Sequence, residues 1–143
     1  MKNCLWLIVS FALVASAHAF PTRVADDQSI APSLLGKWTW TRAQNNCTET
    51  YDFRADGNLL VVSGEETSDN IFEMATEADQ AGFYRLTITT LRDHGGRDCG
   101  DSAADDTGQT IDLYTLFDPS KTTYIVCQQP NLSACFGPLK RLP

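Results

Sequence analysis

The sequence predicts an all-β fold: an eight-stranded up-and-down antiparallel barrel with two disulfides. Three observations predict it. Short runs rich in aromatic and β-branched residues recur along the chain. Turn residues such as Asp56-Gly57 and Asp118-Pro119 separate them at close intervals. No run sustains the 3.6-residue period of a helix. A two-sheet sandwich is the main alternative architecture.

The first segment, Gly36–Arg42, alternates large and small residues. The second, Cys47–Phe53, runs into Asp56-Gly57, a hairpin signal because glycine accepts positive φ at little cost. The third, Asn58–Ser63, stops at Gly64 and the acidic pair Glu65-Glu66. The fourth is Asn70–Ala75, and Glu77–Gly82 turns the chain. The fifth, Phe83–Leu91, is dense in aromatic and β-branched residues. A polar loop covers Arg92–Gly108, and the sixth segment is Gln109–Phe117. A type I turn at Asp118–Lys121 leads to the seventh, Thr122–Cys127. The eighth, Cys135–Leu142, contains Pro138, which cannot donate to a ladder and so belongs at an edge, a bulge or a strand start. A short helix is the alternative at Glu77–Gln80 and at Asp101–Asp106.

The start of the chain bears on where it folds. Lys2, an apolar run from Cys4 to Val14 and the small-x-small site Ala17-His18-Ala19 are the three parts of a secretory signal peptide. The run is shorter than the roughly 20 apolar residues needed to span a bilayer. Phe20, not cysteine, follows the cleavage site, so a lipid anchor is not expected. The expected organisation is a signal peptide over 1–19, a flexible leader over 20–33 with Pro21 and Pro32, and a barrel domain over 34–143. The expected location is periplasmic or secreted, since one signal serves both, with no membrane span.

The net charge of the whole chain is −7, and loss of Lys2 makes the exported chain more acidic still. Such a chain repels phosphate backbones, so no nucleic-acid partner is expected. Cleavage also removes Cys4 and leaves Cys47, Cys99, Cys127 and Cys135. An even number in a small exported chain reads as disulfides. Of the three connectivities, Cys127–Cys135 closes a short loop and Cys47–Cys99 ties two loops together; these are favoured. No C-x-x-C occurs, and the two histidines are His18 and His94, so no zinc site is expected.

Gly36-Lys37-Trp38, preceded by Leu34-Leu35, resembles the Gly-x-Trp signature of lipocalins and the wider calycin group. The resemblance implies a barrel with Trp38 at its closed end. It also implies a basic residue from the last strand packed over the indole, a part Arg141 is placed to play. A guanidinium on an indole is favourable by about 0.5–2 kcal/mol. The hairpin from Tyr51 to Gly57 is similar to one common in small bacterial lipocalin-like proteins. From Leu34 onward the chain resembles a group of small exported bacterial proteins. The shared features are Gly82-Phe83-Tyr84-Arg85-Leu86, Gly95-Gly96-x-Asp98-Cys99 and Cys135-Phe136-Gly137-Pro138-Leu139. That likeness implies fold and location and carries no activity.

If Trp38 points inward, alternation brings Trp40 and Arg42 inward too. Glu49, Tyr51 and Phe53 share one face of the second segment, and Tyr84, Leu86 and Ile88 one face of the fifth. Such a lining either packs a small barrel shut or surrounds a narrow ligand cavity. Arg42 either pairs internally with Glu49 or meets a ligand carboxylate bidentately. The loop carboxylates Asp98, Asp101, Asp105 and Asp106 lack EF-hand spacing and read as solvated. Asp93-His94 has no nucleophile in a recognisable context: Ser63 and Ser102 lie in no G-x-S-x-G, and the cysteines are expected oxidised.

The expectation is therefore a non-enzymatic exported binding protein without a cofactor, holding a small, partly apolar ligand. Trp40, Tyr51, Phe53, Tyr84 and Leu86 would supply contact area, and Arg42 would orient a polar end. The alternative is a filled barrel that binds another envelope protein, as inhibitor or immunity proteins do. Its surfaces would be the 92–108 loop and the Glu65-Glu66 turn.

Overall fold

A strand with one face in the core and one in water must alternate, and a sheet of such strands must cover its edges or close on itself. In the computed structural model, which describes residues 33–143, this chain closes. The expected signal peptide, and all of the expected leader except Ser33, lie outside the described residues. The strands are β1 (Gly36–Arg42), β2 (Cys47–Phe53), β3 (Asn58–Ser63), β4 (Glu66–Met74), β5 (Tyr84–Asp93), β6 (Thr110–Phe117), β7 (Thr123–Cys127) and β8 (Cys135–Arg141). Each pairs antiparallel with the next, and β1 with β8, in one closed barrel rather than two packed sheets. The all-β class, the eight strands and both disulfides, Cys47–Cys99 and Cys127–Cys135, are as expected.

Three local expectations need correction. The fourth strand begins at Glu66, not Asn70, because a two-residue turn with Gly64 at φ 60° and Glu65 brings Ser63 opposite Glu66 at once. No helix forms among the described residues. At 77–80 the Asp79 carboxylate accepts the amides of Ala81 and Phe83, both at 2.9 Å. At 101–106 Asp101 sits at φ 67° and the Asp98 carboxylate accepts the Ser102 amide at 2.6 Å. Such side-chain bonds to nearby amides displace the helical pattern. Pro138 lies at a bulge: Tyr124 pairs with Leu139 and Val126 with Phe136, so Ile125 alone opposes Gly137-Pro138.

The two ends of the barrel differ. At the closed end Trp38 is fully buried, and its Nε1 donates to the Leu34 carbonyl at 2.7 Å. Tyr124 meets its ring edge-on with centroids 4.7 Å apart. The Arg141 guanidinium lies 4.2 Å from the Trp38 ring centroid and donates to the carbonyls of Leu35 and Ser33. Gly36 stands at φ 111°, so the backbone calls for glycine, and a Cβ there would come within 2.8 Å of Arg141 Nη1 and push the guanidinium aside. The β1–β8 seam is short, pairing only Trp38 with Arg141 and Thr39 with Lys140.

The open end carries both disulfides. Cys99, in the β5–β6 loop, is bonded to Cys47 at the start of β2; Cys127 and Cys135 join the facing ends of β7 and β8. The β5–β6 loop crosses the β3–β4 turn closely. The Glu65 amide donates to the Arg97 carbonyl at 2.9 Å. A Cβ on Gly96 would lie 2.4 Å from the Glu65 carbonyl oxygen, so only glycine allows the crossing.

The β6–β7 turn yields a pH prediction. Asp118 accepts the amides of Thr123 at 2.7 Å and Ser120 at 3.0 Å, and also the Ser120 hydroxyl. The Ser120 hydroxyl first, then the Thr123 amide, hold its carboxyl down at about 2. The unfolded value is about 3.9, so this stabilisation is complete above about pH 4 and is lost as pH falls toward 2. Asp118→Asn should therefore flatten the loss of stability between pH 4 and pH 2, read from urea midpoints. Equal acid slopes in the two proteins would refute that role.

Candidate functional site: the barrel cavity

Inside the wall lies a cavity of about 730 Å³. Its floor is apolar: Phe53, Leu86, Tyr124 and Leu139 are buried and line it from β2, β5, β7 and β8. Burial drives the Tyr124 phenol well above its ordinary value, so it stays neutral. Trp38 lies beneath as part of the same apolar cluster. The closed half is thus a packed core, while the open half is hollow.

Halfway up the wall the chemistry turns polar. Glu49 on β2 accepts from Trp40 Nε1 at 3.0 Å and from the Tyr51 hydroxyl at 2.5 Å, both at Oε2. Ser63 Oγ donates to Glu49 Oε1 at 3.3 Å and accepts the Cys99 amide at 3.0 Å. Burial first, then the neighbouring Glu49 charge, push the Tyr51 phenol well above its ordinary value and keep it a donor. On β4, Ser68 and Asn70 are buried and face in, and Asn70 Nδ2 donates to Ser68 Oγ at 3.0 Å. Every fully buried side-chain polar atom among the described residues has a partner.

At the rim, Arg42 Nη1 donates to the Cys99 carbonyl at 2.7 Å, and Asn45 Nδ2 donates to the same oxygen at 2.9 Å. The expected Arg42–Glu49 pair does not form. Ion pairs among the described residues include Arg54–Asp52, His94–Asp69 and Arg97–Asp101. Cys47 stands two positions before Glu49 on β2, and Cys99 follows the 92–98 stretch that folds over the rim. The disulfide therefore puts the Cys99 carbonyl where Arg42 reaches it first. Glu66, Asp98 and Asp106 complete the rim. Burial first, then Asp93, Asp98, Asp106 and Glu49, raise the Glu66 carboxyl above its ordinary value.

The wall also has a side opening. β6 begins at Thr110, yet its ladder to β7 begins only at Tyr114 opposite Cys127. Ile111 lines the cavity while remaining 47% exposed, and Ser133 and Ala134 of the β7–β8 loop line the other side of the gap.

Of the residues singled out from sequence, Trp40, Arg42, Tyr51, Phe53 and Leu86 all line this cavity. Tyr84 does not: at the closed-end start of β5 it meets Phe117 edge-on, centroids 6.1 Å apart. Sequence reasoning missed Val61, Ser63, Glu66, Ser68 and Asn70. Alternation along β3 would have found Val61 and Ser63. The β4 group gave no apolar signal, because its inward residues are polar. His94 is exposed, with Nε2 2.8 Å from Asp69, and does not line the cavity. Among the described residues no group of three or more His, Cys, Asp or Glu side chains is placed to hold a metal. No helix among them is long and apolar enough to cross a membrane. The closed eight-stranded antiparallel barrel is consistent with a calycin-like fold. No protein-family model, no curated protein and no solved structure matches the chain.

Proposed function

We propose that this is an exported, non-enzymatic binding protein of lipocalin-like design, holding one small, partly apolar ligand inside the barrel. The cavity carries the reading. Its volume of about 730 Å³ lies inside the range of ligand sites, about 300–1,000 Å³, and it joins an apolar floor to polar groups on the wall and rim that can orient a ligand. Trp40, Tyr51, Phe53 and Leu86 supply contact area, and Arg42, engaged at Cys99, braces the rim. The two disulfides suit an oxidising compartment, periplasmic or extracellular.

Titration with N-phenyl-1-naphthylamine, an apolar dye neutral at pH 7, tests this. The expected result is saturable fluorescence enhancement with one site per chain. Val61→Trp, which narrows the cavity at mid-wall, and Trp40→Ala should each weaken it severalfold. No uptake by the wild type would sink the proposal. It would favour a second reading, in which the stapled rim docks another envelope protein. That reading rests on both disulfides lying at the open end, where fixed loops lose less entropy on binding.

A further inference from the structure

We propose that the cavity selects a ligand with an apolar body and a cationic head, an alkyl or aryl amine, whose ammonium group is held by Glu49. This rests on the reading that the cavity binds a ligand at all, and it adds the ligand's charge. The walls and rim of the cavity carry four carboxylates, Glu49, Glu66, Asp98 and Asp106, against one guanidinium, Arg42. Arg42 is engaged at the Cys99 carbonyl and forms no ion pair with any of the four. A carboxylate group across this mouth would meet repulsion; an ammonium group would meet attraction.

Glu49 is the group that fixes the head. All three of its partners, Trp40, Tyr51 and Ser63, are neutral donors, and no cation among the described residues stands within ion-pair distance. A carboxylate offers about four acceptor positions. Two bonds fill Oε2 and one long bond from Ser63 uses Oε1, so Oε1 keeps a position for an N–H donor. Aromatic rings lie close by: Trp40, whose Nε1 donates to Glu49, packs on Phe136 with centroids 5.4 Å apart. Indole and phenyl faces attract ammonium groups and not carboxylates. Burial first, and then the neighbouring carboxylates Asp93, Asp98, Asp106 and Glu49, hold the Glu66 carboxyl above its ordinary value. Below Glu49, Phe53 and Leu86 give the floor an apolar surface that suits a hydrocarbon body, with Ser68 and Asn70 as the polar groups of the β4 wall.

The test is displacement of bound N-phenyl-1-naphthylamine by three ligands of one length: octylamine, octanol and octanoate. At pH 7 octylamine should displace the dye at a concentration at least tenfold below octanol, with octanoate weakest. Glu49→Gln should erase the advantage of octylamine over octanol. If that variant also loses octanol, the wild type decides the matter: raising the ionic strength from about 0.02 M to about 1 M at pH 7 should shrink the octylamine advantage, because salt screens the attraction between the ammonium group and the carboxylates of the mouth. A constant advantage across that range overturns the proposal. So does equal displacement by all three ligands, or a preference for octanoate, and either leaves the cavity reading intact. Absence of dye binding removes that reading and this one with it.

Discussion

Trp38→Ala is expected to destabilise the protein by about 3–5 kcal/mol, the range for emptying a buried large aromatic site. The indole is fully buried, packs edge-on against Tyr124 and against Phe117, and carries Arg141 over its face. Truncation would leave a void that four strands around it cannot close, and would leave the Leu34 carbonyl without its donor. The melting temperature should fall on the order of 15 °C. Chemical denaturation of the two proteins measures the difference directly. Arg141→Met is the useful comparison, because it keeps an apolar cover and removes the charge. It should cost about 0.5–2 kcal/mol for the lost cation–π contact. A Trp38→Ala loss below that of Arg141→Met would mean that the closed end is not the packed base described here.

Breaking Cys47–Cys99 with a Cys47→Ser/Cys99→Ser pair is expected to cost about 4 kcal/mol, because the bond spans 52 residues and restrains the unfolded chain accordingly. Cys127–Cys135 spans 8, and the same loop-entropy estimate gives about 2.5 kcal/mol. The order of the two double variants in urea is the check; the reverse order would show that native contacts at the rim, and not chain entropy, set their values. The first pair should also change the cavity. Cys99 supplies the carbonyl that holds Arg42 and Asn45, and the amide that reaches Ser63 and through it Glu49. Ligand affinity should therefore weaken in the Cys47→Ser/Cys99→Ser protein at temperatures where it is still folded.

Legibility in the sequence followed the contrast between the two faces of each strand. β1, β2 and β3 begin and end where alternation and turn residues place them, and Asp56-Gly57 makes the β2–β3 hairpin with Gly57 at φ 83°. β5 runs two residues past Leu91 because Asp93 still pairs with Ser68 across a bulge. The first half of β4 was illegible for a physical reason: Glu66, Ser68 and Asn70 face a polar chamber, so the inward and outward residues look alike. The site was half legible. Alternation places Trp40, Arg42, Tyr51, Phe53 and Leu86 inward, but whether inward groups fill a barrel or surround a space depends on strand tilt and side-chain volume. The partner of Arg42 was illegible too, since it lies on a loop 57 residues away. Gly64 and Gly96 were the only hint that this loop crosses the β3–β4 turn.

The two-rung seam between β1 and β8 has a consequence for assembly. Every other pair of neighbouring strands is joined directly by its own connection and zips locally; only this contact joins the chain's two halves from opposite ends. An unlatched barrel is a curled sheet with two free edges of matched register, and those edges fit a second copy as well as they fit each other. The Trp38–Arg141 contact spans the seam between those two edges and holds them together within one chain.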